Sequence, residues 1–157
     1  MRDFLKVDSD AALNIAIVGG GIGGLSAALC LARAGHQVQV FEQTETFVES
    51  GAGVQLSPNA SRVLHLLDLQ DSLQQDGFLP AATQIRSWNS GRQISRTALG
   101  DDAVKRYGAP YYHIHRGDLL NLLSSAAAAQ PNIHIALSSR VEGLQQSHSG
   151  VRAVVSG

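Results

Sequence analysis

Apolar runs that end at glycine alternate along this chain with stretches of helical spacing. Asn14 to Val18 (NIAIV) is a short apolar run bounded by glycines, which predicts a buried parallel strand. From Ile22 to Ala34, the residues Leu25, Ala28, Leu29 and Ala32 recur at helical spacing, and Gly35 supplies the stop. His36 to Glu42 (HQVQVFE) alternates as a second strand. Strand, helix and strand in that order make a βαβ unit, whose crossover requires the strands to be parallel. Farther on, Ser57-Pro58 predicts a helix start, with Ser57 as N-cap, proline in the first helical position, and Val63, Leu64, Leu66 and Leu67 as the buried side. Thr83 to Trp88 and Arg92 to Thr97, joined through Asn89-Ser90-Gly91, predict a β-hairpin. A third helix over Asp118 to Ala129 stops before Gln130-Pro131, where proline disfavours continuation. Three short strands follow, at Ile133–Leu137, Arg140–Gln145 and Val151–Val155. The class is α/β.

The turn between the first strand and the first helix carries the chemistry. Gly19 to Gly24 reads GGGIGG and satisfies G-x-G-x-x-G with Gly19, Gly21 and Gly24. Gly19 permits a tight turn out of the strand, and Gly21 lets a pyrophosphate approach the backbone. Gly24 lets the helix pack closely on the strand, and Gly23 is counted with this turn as a cofactor-binding candidate. The N–H groups and positive dipole end of the helix then face the phosphates. With 16 glycines in 157 residues, chance alone yields about 0.15 such matches per chain, so the hexapeptide by itself is weak. Its setting raises the odds over an ordinary glycine-rich turn. It follows a strand, opens a helix, and precedes an acidic residue, Glu42, at the end of the second strand, where a carboxylate can accept ribose hydroxyls. Glu42 would repel a 2′-phosphate and so argues against NADP. FAD and NAD both remain open on this ground.

Charge removes other classes. The net charge is −1, with 12 Lys and Arg against 13 Asp and Glu, which leaves no basic footprint for nucleic acid or an anionic membrane surface. No apolar run approaches the ~18–20 residues of a membrane helix. The one cysteine, Cys30, excludes an intrachain disulfide, and its place among alanines and leucines predicts a small core residue. Residues 1–13 are charged and lack a signal segment, so they are expected to be a mobile lead-in to a cytoplasmic protein. His113 and His115 alternate on one strand face without a third ligand at metal spacing, so no metal is expected. Ser124 and Ser125 have no partners for a catalytic triad.

Three segments together resemble one family. They are NIAIVGGGIGGLSAALCLARAGHQVQVFEQ from Asn14, GAGVQLSPNA from Gly51 to Ala60, and YGAPYYHIHRGDLLNLL from Tyr107 to Leu123. In order and spacing they are similar to class A flavoprotein monooxygenases of the salicylate, 3-hydroxybenzoate and 6-hydroxynicotinate hydroxylase type. The resemblance implies a Rossmann-like FAD-binding fold of the glutathione-reductase type, over residues 14–157, with an inserted β-hairpin. It also implies the roles of particular residues. Glu42 would bind the adenosine ribose, Gln43 would lie on the adenine side, and Val141 would meet the adenine through its backbone. Gly53 and Val54, within Gly51–Leu56, would pass beside the isoalloxazine ring, where small residues admit a flat ring. Arg116 would reach the flavin side chain near the pyrophosphate, where a guanidinium pairs with phosphate oxygens. Gln55 stands where some relatives have a histidine proposed as a base, so that role does not carry over, and no catalytic residue is assigned.

The implied parent reaction is hydroxylation of a small aromatic hydroxy acid with FAD, O₂ and NADH or NADPH. Two later family motifs, the substrate-covering sheet and a C-terminal helix have no counterpart in these 157 residues. The fold is therefore expected to be incomplete, the flavin half-enclosed, and the chain by itself not a competent hydroxylase. A C-terminal half or a second copy could complete it. Two rival readings stand beside this one: a stand-alone non-catalytic dinucleotide-binding module, and a fragment of an NAD-dependent dehydrogenase, against which Gly51–Ala60 and Arg116 count.

Overall fold

The computed structural model describes residues 12–47, 51–148 and 150–156. The lead-in expected over residues 1–13 lies outside the described residues for all but its last two positions. In chain order the elements are β1 (Asn14–Val18), α1 (Ile22–Arg33), β2 (Gln37–Phe41), β3 (Gly53–Leu56), α2 (Pro58–Leu66), α3 (Gln70–Asp76) and β4 (Ala82–Arg86). Then come β5 (Gln93–Ala98), α4 (Asp101–Tyr107), β6 (Tyr112–His115), α5 (Arg116–Ala128), β7 (Ile133–Ala136), β8 (Arg140–Ser147) and β9 (Gly150–Ser156). They fall into two compact units, residues 1–49 with 119–157, and residues 50–118.

The first unit is built on a parallel three-stranded sheet in the order β1-β2-β7. The predicted βαβ unit is its first half. Helix α1 buries Leu25, Ala28, Leu29 and Ala32, the set its periodicity marks. It ends as the sequence predicts. Gly35 takes φ +103°, its N–H reaches the Ala32 carbonyl at 3.0 Å, and the His36 N–H reaches that of Leu31 at 3.1 Å. This is the paired closing pattern that satisfies the last helical carbonyls. The side-chain N–H₂ of Asn132 adds two more bonds, to the carbonyls of Ala32 and His36, both at 2.8 Å. One side chain after α5 thus ties the end of α1 to the start of β7. Asn132→Ala leaves those carbonyls short of a donor and should cost about 1–3 kcal/mol. A urea-unfolding midpoint equal to wild type would contradict this.

Three expectations for this unit change. β1 reads as a fully buried strand, yet its residues are half-buried or exposed and Val18 is 59% exposed. Among the described residues it pairs only with β2, so it lies at the edge of the sheet. Cys30 is half-buried and lies off the buried face of α1; burial nevertheless pushes its thiol pKa up, against the opposing pull of the Arg33 charge. The last three strands do not form one group, since β7 joins β2 in the parallel sheet while β8 and β9 pair separately and antiparallel.

The second unit holds two antiparallel pairs, β3 with β6 and β4 with β5. The latter is the predicted hairpin, shifted by a residue or so at its ends and carrying an irregularity at Ile85/Arg86. Helices α3 and α4 and strand β3 were not legible as elements. Helix α2 starts at Ser57 with Pro58 as its first residue, as expected. Its buried side differs: Ser61 and Leu64 are buried, whereas Val63 is exposed and Leu66 and Leu67 are half-buried. α2 packs on β3 and on α4, and the fully buried Ser61 hydroxyl donates to the Pro110 carbonyl at 2.5 Å. A polar residue was thus placed inside because it has a partner there.

Candidate cofactor-binding site

The four motif glycines divide into two kinds. Gly19 has φ +103°, a conformation that L side chains rarely adopt, and a Cβ on Gly24 would stand 1.9 Å from the Gly19 carbonyl oxygen. These two are demanded by the fold: one by the turn, the other by the contact of α1 with the strand end. Gly21 and Gly23 are different. A Cβ on either would meet nothing within 4 Å, and Gly21, the N-cap of α1, has φ −72° and ψ −177°, open to any residue. Nothing inside the protein requires glycine there. The start of α1 has no side-chain cap and no acidic residue in its first turn. Its leading N–H groups and positive dipole end thus have no side-chain cap and no carboxylate in the first turn, which suits an anion.

Glu42 follows β2 and faces this turn. Its carboxylate Oε2 accepts from the Gly20 N–H at 2.6 Å, and Oε1 accepts from the Thr44 N–H at 2.9 Å. Burial pushes the Glu42 pKa up, but the bonds from Thr44 and Gly20, with the Gln43 N–H, outweigh it and hold the carboxyl below its ordinary range. The lowered pKa means that this bonding stabilises the fold at neutral pH and is lost as pH falls through the folded value, which lies below the ordinary carboxylate range. The Gly20 amide proton shift should therefore titrate in acid, and Glu42→Gln should abolish that titration; a flat Gly20 shift in the wild type would refute the link. Gly20 and Thr44 were not singled out by motif. The available signal was local, a Glu-x-Thr spacing at a strand end. Gly20 is crowded as well, since a Cβ there would lie 2.8 Å from Phe47 and 3.1 Å from Glu42 Cβ.

Val141 reaches the same end of the sheet through the loop after β7. The Ser138 N–H donates to the Thr44 carbonyl at 3.0 Å and the Ser139 N–H to that of Glu42 at 2.8 Å. These bonds carry the chain across the end of β2 before β8 begins. A cavity of about 270 Å³ results, lined by Val18, Gly19, Phe41, Gln43, Arg140 and Val141. Gly19, Gln43 and Val141, which lie apart in the sequence, are thereby brought to one cleft at the carboxyl ends of β1 and β2.

The second unit gathers the other segments. Gly51 to Leu56 ends in β3, which pairs with β6 so that Gly53 lies opposite His115 and Val54 opposite Ile114. The Arg116 N–H donates to the Ala52 carbonyl at 3.3 Å, and a Cβ on Gly51 would come within 3.1 Å of Arg116 Cβ. Arg116 itself is exposed and is the first residue of α5. The glycine-rich segment and the arginine therefore adjoin. Gln55 lies opposite His113, and its Oε1 accepts from the Tyr111 hydroxyl at 2.9 Å. His113 and His115 share the less buried face of β6. Among the described residues no three His, Cys, Asp or Glu side chains stand where they could hold a metal ion, and no helix is long and apolar enough to cross a membrane.

Comparison with known proteins shows the family to which the chain belongs. The profile of the FAD binding domain family matches residues 12–157. A 3-amino-4-hydroxybenzoate 2-monooxygenase from Streptomyces cremeus is 49% identical over 123 residues, covering 78% of this chain and 31% of that protein. A 6-hydroxynicotinate 3-monooxygenase from Bordetella bronchiseptica is 40% identical over 116 residues, covering 74% of this chain and 30% of that protein. The chain thus spans about a third of the length of these relatives. In structure it is similar to the tetrameric form of 2-methyl-3-hydroxypyridine-5-carboxylic acid oxygenase, with a TM-score of 0.72 and 25% identity over 91% of this chain and 38% of the other.

Proposed function

Since this chain belongs to the FAD binding domain family, we propose that it is the FAD-holding N-terminal portion of a monooxygenase that hydroxylates a small aromatic hydroxy acid. The observation that carries the reading is the open space at Gly21 and Gly23. The fold itself does not need those glycines, whereas a pyrophosphate lying against the start of α1 does. The donor set fits FAD: uncapped N–H groups, a carboxylate at the strand end and an adjoining cleft.

In this reading Gly19, Gly21, Gly23 and Gly24 form the pyrophosphate turn, and Glu42 accepts the ribose hydroxyls. An ionised carboxylate has about four acceptor sites, so the bonds from Gly20 and Thr44 pre-orient it and leave capacity for the ribose. Gln43 and Val141 border the adenine. Gly53 and Val54 flank the flavin ring, and Arg116 neutralises phosphate charge. When bound, FAD supplies the redox and oxygen chemistry, with NADH or NADPH as donor. The protein's share is binding, orientation and exclusion of water. No side chain here is assigned a catalytic role. A Rossmann-like fold over 14–157, continuing beyond the free edge of β1 through a C-terminal half or a second copy, belongs to the same reading. So does a cytoplasmic location.

Glu42→Ala should weaken FAD binding by about 1.5–3 kcal/mol, the worth of hydrogen bonds to a charged group; unchanged affinity in a titration would remove Glu42 from the ribose. The function as a whole is tested by extracting the purified chain and identifying its nucleotide. FAD, with a two-band visible spectrum before extraction, is the expected result. A colourless protein yielding NAD would replace this reading with the dehydrogenase fragment. On a longer chain that includes these residues, NAD(P)H-dependent hydroxylation of a hydroxybenzoate panel is expected, and FAD binding without any turnover would favour a non-catalytic module.

A further inference from the structure

One donor on the open face of the β3–β6 pair has no partner among the described residues. Gly53 lies directly opposite His115, and residues opposite each other in an antiparallel pair share a face. A Cβ on Gly53 would meet only the Ile114 carbonyl oxygen, at 3.9 Å, so the face is open at that position. Gly53 and His115 also line one groove of about 390 Å³, with Asp76, Phe78 and Asp118 along it. That volume falls in the range of sites that take a small organic group.

The ring of His115 is exposed and held in one tautomer. The Gly117 N–H, one of the leading donors of α5, donates to His115 Nδ1 at 3.2 Å. A ring nitrogen that accepts carries no proton, so the proton of the neutral ring sits on Nε2, on the far side of the imidazole. The other side chains of the groove offer less. Asp76 and Asp118 present carboxylate acceptors, and Phe78 and Ile114 are apolar. His113 is half-buried against the rings of Phe78 and Tyr111, at 6.4 and 5.7 Å, and its Nε2 is covered. The rim of an isoalloxazine ring is mostly acceptors, namely carbonyl oxygens and ring nitrogens. A fixed N–H across the strand pair from an open glycine matches that rim. Reduction adds electron density to the ring beside two carboxylates. A hydrogen bond to a charged acceptor is about twice as strong as a neutral one, so the same donor holds reduced FAD more tightly than oxidised FAD.

We propose that His115 donates its Nε2–H to the rim of the isoalloxazine ring and so holds the ring against Gly53. This rests on the reading that FAD binds with its ring beside Gly53. The probes are FAD and ADP, which shares the adenosine and pyrophosphate but lacks the flavin. Each is titrated into the full chain carrying isotope-labelled histidine, and amide and imidazole resonances are followed. Both should shift the amides of Gly19–Gly24, and only FAD should shift the His115 ring nitrogens. His115→Leu should weaken oxidised FAD about threefold and reduced FAD about tenfold or more, which moves the reduction potential of the bound flavin to more negative values. His115→Gln, which keeps an N–H donor, should retain most of both affinities. If loss of the Gly117 bond unfolds the leucine variant, the wild-type resonances decide. A His115 ring that FAD leaves unmoved, or moves no more than ADP does, would overturn the proposal, while shifts at Gly19–Gly24 would keep the cofactor reading intact. Folded His115→Leu with the wild-type potential would overturn it too, as would an equal loss in His115→Gln. A chain that binds neither probe would refute the cofactor reading itself, and the proposal with it.

Discussion

Gly21→Val is expected to abolish FAD binding while leaving the stability of the chain essentially where it was. The two halves of that result have different causes. For stability, the backbone at Gly21 is extended, which a β-branched residue accepts, and the added Cβ meets no atom within 4 Å. Replacing glycine reduces the freedom of the unfolded chain and stabilises by about 0.4–1 kcal/mol. Valine is a poorer N-cap than glycine by a similar amount. The two terms nearly cancel. For binding, the branched side chain fills the space through which a pyrophosphate would contact the backbone, and no rearrangement of the valine clears it. Equal unfolding midpoints with FAD affinity lost in the variant is the outcome to look for. Stoichiometric FAD in Gly21→Val would make the turn merely structural.

Gly24→Ala is expected to do the reverse and damage the fold itself. The added methyl would lie 1.9 Å from the Gly19 carbonyl oxygen and 3.4 Å from Ile17 Cγ2. Those are backbone and strand atoms, not the far end of a flexible side chain, so relief requires α1 to move away from β1. That movement would cost packing of Leu25, Ala28 and Leu29, which α1 buries. A loss of about 3 kcal/mol or more follows from overpacking of this kind. For a domain with total stability of about 5–15 kcal/mol, that is a large fraction. The unfolding midpoint measured in urea is the readout. A variant within ~0.5 kcal/mol of wild type would show that the contact between α1 and the turn is looser than described.

Much of the first unit could be read in advance because its signals are local. A glycine turn between an apolar run and a helical period specifies β1-α1-β2 almost alone, and Gly35 closes α1 as expected. What escaped reading depends on partners distant in sequence. β1 is apolar enough to be a central strand, but burial of a strand is set by its neighbours, and β1 has one among the described residues. Ser61 is polar and buried because Pro110, 49 residues away, accepts its hydroxyl. Helix α3, QDSLQQD, buries only Leu73, too little apolar periodicity to register. β3 was hidden because its glycines argue for a loop until β6 pairs with it. At the site, the glycines and Glu42 were marked by type and spacing, and Arg116 only by the resemblance to the family. The bonds from Gly20 and Thr44 to Glu42 were not marked, since the only signal for them is the short Glu-x-Thr spacing and the Gly20 backbone donor carries no sequence signature.

The central claim is that the open glycine turn exists to hold FAD. Titrating FAD into the purified chain and following quenching of flavin fluorescence, with NAD as competitor, tests it most directly. Saturable FAD binding that equal concentrations of NAD do not displace, and that Gly21→Val eliminates, is the predicted result. Tighter binding of NAD than of FAD, or equal FAD binding by the wild type and the valine variant, would contradict the account.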